Sequence, residues 1–185
     1  MSSTPSVSAD LLDDAVAATI QAGAAIMDYF RDSFSVHDKS PDNPVTDADL
    51  AADKLLRQQL GRVMPSAGWL SEETVDNADR LDREWVWVVD PLDGTKEFVM
   101  GIPEFTVSVG LVKAGHPVLG VILNPARGEL YYGRQGNGVA FQRQPVSASQ
   151  RSELTGALVD ASRSERTRGD FAPFEVLVTV RTVGS

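Results

Sequence analysis

Trp85-Val86-Trp87-Val88-Val89-Asp90-Pro91-Leu92-Asp93-Gly94-Thr95-Lys96-Glu97-Phe98 is the stretch on which the reading of this chain turns. Its first half is rich in Val and Trp, which suits a buried strand. The run stops in an acid. Pro91 and Gly94 then predict a tight turn, so that Asp90 and Asp93 face one cavity. Two carboxylates on a rigid strand end are good ligands for a hard cation such as Mg²⁺. Beyond the turn, Gly94 and Thr95 can offer backbone N–H groups at a helix start, where a phosphate binds. Acids for a metal beside donors for a phosphate point to metal-assisted phosphate chemistry. Asp-Pro-x-Asp-Gly is also an ordinary loop string, so the reading depends on other acids joining it.

Working outward, Val45-Thr46-Asp47-Ala48-Asp49 opens a helix. Thr46 is its expected N-cap, which places Asp49 near the third helical position. Asp49 then either supports the helix dipole or points from the helix start into the site. The helix runs through Ala52, Leu55, Leu56, Leu60 and Val63 and stops before Pro65. Trp69-Leu70-Ser71-Glu72-Glu73 is a short apolar run ending in paired acids. As a second strand end it would bring carboxylates to the same edge. Asp76 to Arg83 is expected to be an exposed charged loop.

Upstream, residues 1–7 are expected to be a loose tail, with Ser8 capping a long amphipathic helix from Leu11 to Phe30. His37 to Pro44, polar and holding two prolines, is expected to be a loop. Downstream, strands at Val107–Val112, Val118–Leu123 and Glu129–Tyr132, joined by Gly/Pro turns, predict an antiparallel meander. Further strands are expected at Ala157–Ala161 and Val178–Val183, with Glu165–Val176 open between helix and loop. Helices first and strands after predict a layered α+β fold, helices against an antiparallel sheet. His37 and His116 fall in loops and are read as exposed, and Tyr131 and Tyr132 as packing residues.

Composition narrows the function. The chain has 185 residues, a net charge of −9 and no cysteine. Thiolate sites and disulfides are excluded, which together with the lack of a signal-peptide pattern suggests the cytoplasm. No apolar run approaches the roughly 20 residues of a membrane span. The negative charge argues against a nucleic acid polymer as partner. A small phosphorylated substrate stays compatible, since bound cations change the local sign.

Val45-Thr46-Asp47-Ala48-Asp49, Ser71-Glu72-Glu73 and Asp90-Pro91-Leu92-Asp93-Gly94-Thr95 together resemble, in order and spacing, the motifs of the inositol monophosphatase superfamily. Its members are magnesium-dependent, lithium-sensitive phosphomonoesterases. Asp93-Gly94-Thr95-Lys96-Glu97-Phe98, Glu104-Phe105-Thr106-Val107, Ser162-Arg163-Ser164 and Val183-Gly184-Ser185 most resemble its CysQ-type 3'(2'),5'-bisphosphate nucleotidase branch.

The resemblance implies a sugar-phosphatase-like N-terminal domain over 8–185 and hydrolysis of adenosine 3',5'-bisphosphate to AMP and phosphate. It implies two or three Mg²⁺ ions. Glu72, Asp90 and the Leu92 carbonyl would hold one, and Asp90 and Asp93 a second. Asp49 and Thr95 would orient and help deprotonate the attacking water. Glu72, Asp93, Gly94 and Thr95 would meet the substrate. Ser162 and Arg163 would meet its nucleotide end, unless they form only a polar strand-to-helix turn. An inositol or sugar monophosphatase is the alternative within the superfamily. Family members continue into a sub-domain whose Trp-Asp motif adds a metal ligand. This chain has no Trp-Asp pair, so a truncated and catalytically incompetent fragment is the third expectation. The resemblance also leaves open a homodimer and a peripheral place at the inner membrane.

Overall fold

The computed structural model describes residues 7–32, 34–40 and 43–184. The chain divides into two compact units, Met1–Val146 and Ser147–Ser185. The expected tail at 1–7 lies outside the described residues apart from Val7. That residue is no tail: it is packed in the core, and its carbonyl accepts from Arg134.

In the first unit, α1 (Ala9–Arg31) begins as expected, with the Ser8 side chain accepting from the Leu11 N–H. Its buried stripe is Leu12, Ala15, Ala18, Thr19, Ala22, Gly23 and Ile26. The small residues let the helix approach the sheet closely: a Cβ on Gly23 would meet Leu123 Cδ2 at 2.7 Å. The expected loop over His37–Pro44 is instead an antiparallel pair, β1 (Val36–Ser40) and β2 (Asn43–Thr46). Pro44 is tolerated because a two-stranded ribbon is all edge, and a missing N–H there breaks no central ladder. His37 therefore sits on a strand, exposed as expected, and contacts Asp47 at 3.4 Å.

Helix α2 (Asp47–Val63) follows, capped by Thr46, and buries Ala48, Asp49, Ala52, Leu56 and Leu60. Strands β3 (Gly68–Ser71), β4 (Trp85–Asp93), β5 (Thr106–Lys113), β6 (His116–Asn124), β7 (Glu129–Arg134), β8 (Val139–Phe141) and β9 (Gln144–Val146) form one seven-stranded sheet in chain order. β5, β6 and β7 form the expected antiparallel meander, and the same pairing extends to β4 on one side and to β8 and β9 on the other. The fold class is α+β as read from the sequence, but the sheet is mixed, because β3 pairs with β4 in parallel. Residues 72–84 are long enough for that crossover, which needs about a dozen residues. They contain an exposed 3₁₀ turn at Ala78–Asp82.

One sheet face is apolar and turned to the helices: Trp87, Val89, Val107, Val109, Leu111 and Val121 join the core cluster with α1 and α2. The alternate positions Val88, Ile122 and Tyr131 are exposed, as strand periodicity requires. Tyr131 stacks on Phe141 with ring centroids 4.5 Å apart, the packing role expected of it.

The second unit holds a parallel pair, β10 (Leu158–Ser162) and β11 (Thr179–Val183). Between them α4 (Arg163–Arg168) is followed by a 3₁₀ turn at Ala172–Phe174. The Asp160 carboxylate and the Arg181 guanidinium form a two-pronged ion pair across this pair of strands, at 2.7 Å.

Candidate active site

Parallel pairing of β3 with β4 is what builds the acidic edge. Ser71 is in register with Val89, and the Glu72 N–H extends the ladder to the Val89 carbonyl at 3.2 Å. The next residue on each chain is an acid. Glu72 and Asp90 therefore emerge side by side, as the two strand-end acids were expected to do.

The central strand does not stop at Asp90, however. β4 runs on to Asp93, with irregular register against β5 between those two acids. Pro91 lies within that irregularity, where its missing N–H leaves no ladder bond unmade. The Leu92 N–H turns back to the Asp90 carboxylate at 3.2 Å. A bulged strand, rather than a tight turn, sets the spacing of Asp90 and Asp93.

Crowding these carboxyls has an electrostatic cost. Burial pushes the Asp90 carboxyl up to about 7, helped by the charges of Glu72 and Asp93 and by a hydrogen bond with Glu72; the Leu92 N–H opposes the shift. Asp93 is raised as well, by loss of water first and then by Glu72 and Glu97. Loss of water and neighbouring like charges thus favour the protonated form of Asp90 and Asp93. Among the described residues no three acid or histidine side chains stand as a closed cation site. The donor set nonetheless fits a hard divalent cation: oxygen ligands only, clustered, and holding a proton that a cation can replace.

Gly94 follows, with φ of +96°, a conformation that other residues adopt only with strain. A Cβ there would also meet the Glu104 carbonyl at 2.9 Å and Phe105 Cα at 3.1 Å. The left-handed residue breaks the strand and starts α3 (Thr95–Val99). Phe98 anchors that short helix in a cluster with Phe30, Phe34 and Phe105, at centroid distances of 4.9–5.4 Å.

Thr95 is thereby turned towards α2. Its hydroxyl faces Asp49 Oδ1 at 3.1 Å and the Leu92 carbonyl at 3.0 Å. Asp49 is fully buried. Its other oxygen accepts from the Thr46 N–H at 2.7 Å and the Thr46 hydroxyl at 2.6 Å, closing the capping box. Asp49 thus does both things the sequence allowed, capping α2 and reaching a site residue. Burial raises its carboxyl above the ordinary value, against the hydrogen bonds from Thr46 and Thr95.

Ser162 and Arg163 fall in the second unit, at the β10–α4 junction. Ser162 caps α4, accepting from the Glu165 N–H at 3.1 Å, and its own N–H donates to Glu165 Oε2 at 2.7 Å. The polar strand-to-helix turn considered for these residues is what this local geometry forms.

One group was missed in the sequence. Asp53 accepts from Ser71 Oγ at 2.5 Å and from Thr74 Oγ1 at 2.9 Å. The available signal was helical spacing, since Asp53 follows Asp49 by one turn of α2.

The family model for the inositol monophosphatase family matches residues 9–181, and the chain belongs to that family. It is similar to a 3'(2'),5'-bisphosphate nucleotidase CysQ of Aggregatibacter actinomycetemcomitans, 38% identical over 136 residues, covering 72% of this chain and 51% of the relative. The CysQ likeness read from the motifs is therefore borne out. Similarity of the same order links it to a histidinol-phosphatase of Chlorobaculum parvum, 37% identical over 146 residues, covering 78% of this chain and 56% of the relative. An inositol-1-monophosphatase of Rhizobium meliloti is 33% identical over 177 residues, covering 94% and 65%. Among solved structures, the extragenic suppressor protein suhB of Bartonella henselae superposes with a TM-score of 0.85 at 29% identity, covering 96% of this chain and 71% of that one. The chain spans about half to two thirds of the length of these curated relatives. Among the described residues no helix is long and apolar enough to cross a membrane.

Proposed function

We propose that this chain carries the cation- and phosphate-binding part of a Mg²⁺-dependent phosphomonoesterase acting on adenosine 3',5'-bisphosphate. The observation that carries the reading is the Thr95–Asp49 hydrogen bond standing beside the neighbouring Glu72 and Asp90 strand ends. Glu72, Asp90 and Asp93 would hold Mg²⁺, with the Leu92 carbonyl. That oxygen accepts from Thr95 and keeps a second lone pair for a cation. Bound Mg²⁺ supplies charge neutralisation of the phosphate and a more acidic water.

The chain's own residues supply the orientation. The Thr95 hydroxyl has one proton, directed at Asp49 and the Leu92 carbonyl. Its oxygen lone pairs are left to accept from the attacking water. Asp49 fixes that direction and, with its raised carboxyl, is the group to which the proton from water can pass through Thr95. The Gly94 and Thr95 N–H groups open α3 and would donate to phosphate oxygens. No covalent phosphoenzyme is needed.

The nucleotide preference rests on Asp93-Gly94-Thr95-Lys96-Glu97-Phe98 and on the similarity to CysQ. An inositol or sugar phosphate is the second reading, favoured by the similarity to the Rhizobium protein. The test is phosphate release by the purified chain from adenosine 3',5'-bisphosphate, inositol 1-phosphate and histidinol phosphate, with Mg²⁺, with EDTA and with added Li⁺. Nucleotide hydrolysis lost in EDTA and inhibited by Li⁺ is expected. Release from inositol 1-phosphate alone refutes the nucleotide assignment. No release from any substrate, with Mg²⁺ still bound, makes this chain a cation-binding fragment without turnover.

A further inference from the structure

Helix α2 presents two acids to the site, and only Asp49 has so far been given a task. Asp53 lies four residues on, so its side chain leaves the same face one turn later. Each of its oxygens accepts one hydroxyl: Ser71 on Oδ1 and Thr74 on Oδ2. Those hydroxyls bracket Glu72 and Glu73. Ser71 Oγ also accepts from the Glu73 N–H at 3.3 Å, tightening the bend between the brackets. Among the described residues, the parallel ladder beyond Ser71 adds only the Glu72 N–H. The chain then turns away into the crossover, where the exposed Arg80–Asp76 pair is the next tie.

We propose that Asp53 is a positioning residue. It clamps the bend Ser71–Thr74 so that Glu72 stays against Asp90, and it thereby sets the cation affinity of the acidic edge without touching the cation. The inference rests on the function proposed above, in that Glu72 and Asp90 are taken as cation ligands. α2 acts as a ruler: one turn fixes the Thr95 hydroxyl through Asp49, the next fixes Glu72 through Asp53. Partners that hold a ligating group in place are commonly worth about 10–100-fold in metal affinity.

The test is Mg²⁺ and Mn²⁺ titration calorimetry on the full chain, with thermal unfolding in EDTA as the control for the fold. Asp53→Ala is expected to weaken Mg²⁺ binding about 10–100-fold while leaving the EDTA melt close to the parent's. Asp53→Asn, which keeps one acceptor oxygen, should recover part of the loss. Thr74→Val, which removes one arm, should fall between Asp53→Asn and the parent. Asp90→Asn is the reference. If it abolishes binding while Asp53→Ala and Thr74→Val bind as the parent does, the positioning role is refuted and the cation site stands. If Asp90→Asn also binds as the parent does, the cation reading itself fails. Should Asp53→Ala not fold, Thr74→Val decides: parental affinity there overturns the proposal.

Discussion

Replacing Asp90 by Asn separates what the acidic edge does for folding from what it does for function. In the folded chain the Asp90 carboxyl is raised from 3.8 to about 7. Between those values the native protein holds a proton that the unfolded chain has released. The contribution of this group to stability is therefore complete below about pH 4 and is lost as pH rises through 7. A rise of that size corresponds to at most about 4 kcal/mol at pH 8, and solvent screening of this half-buried group reduces it towards about 2 kcal/mol. Asparagine keeps the oxygen that accepts from Leu92 and adds an N–H₂ that can donate to Glu72. Asp90→Asn is thus expected to stabilise the cation-free chain at pH 8 by about 2–4 kcal/mol, or about 4–16 °C in melting temperature for a chain of this size. At pH 5 the gain should shrink. In Mg²⁺ at about 1,000 times the parent's Kd the order should reverse, because the parent gains about 4.1 kcal/mol there and the variant gains nothing. Melts of both proteins at pH 5 and 8, in EDTA and in Mg²⁺, read all four corners. A variant less stable than the parent in EDTA at pH 8 would refute the claim that these carboxylates repel one another in the native state.

The remaining predictions concern the turn after the strand. Thr95→Ala should lower kcat by about 10²–10⁴-fold with KM little changed, and Thr95→Ser should restore most of it; steady-state kinetics on the hydrolysed substrate decides, and near-parental turnover removes Thr95 from the reaction. Gly94→Ala should destabilise by about 1–3 kcal/mol, since its backbone is left-handed and its Cβ would press on the Glu104 carbonyl. A urea melt within about 0.5 kcal/mol of the parent would show that the loop at Glu104–Phe105 yields freely.

The sequence signals that proved readable were those in which a local rule and the tertiary structure agree. Thr46 and Asp49 form a capping box, a pattern visible in four consecutive residues, and the same box delivers Asp49 to Thr95. The Val/Trp run is a strand as read, but between β3 and β5 it buries Trp87 and Val89 on one face and leaves Val88 exposed on the other. Where long-range pairing overrides local signals, the reading fell short. His37–Pro44 looks like a loop because its residues are polar and include prolines, yet a two-stranded ribbon asks little of side chains. β4 outlasts Asp90 because its pairing with β5 resumes at Thr106, a contact no local pattern records. Asp53 looks like a solvated helix acid, and its hydroxyl partners lie about twenty residues away in sequence.

The parallel pairing of β3 and β4 also makes the acidic edge a seam. Glu72 directly follows β3 and Asp90 lies toward the end of β4, so an ion held by both would staple the matching ends of two neighbouring parallel strands. Such a staple acts as a removable cross-link: the strands cannot part until the ion is released. The cation would then set how long the native state lasts as well as what chemistry it performs, and a chelator would shorten that lifetime before any substrate is involved.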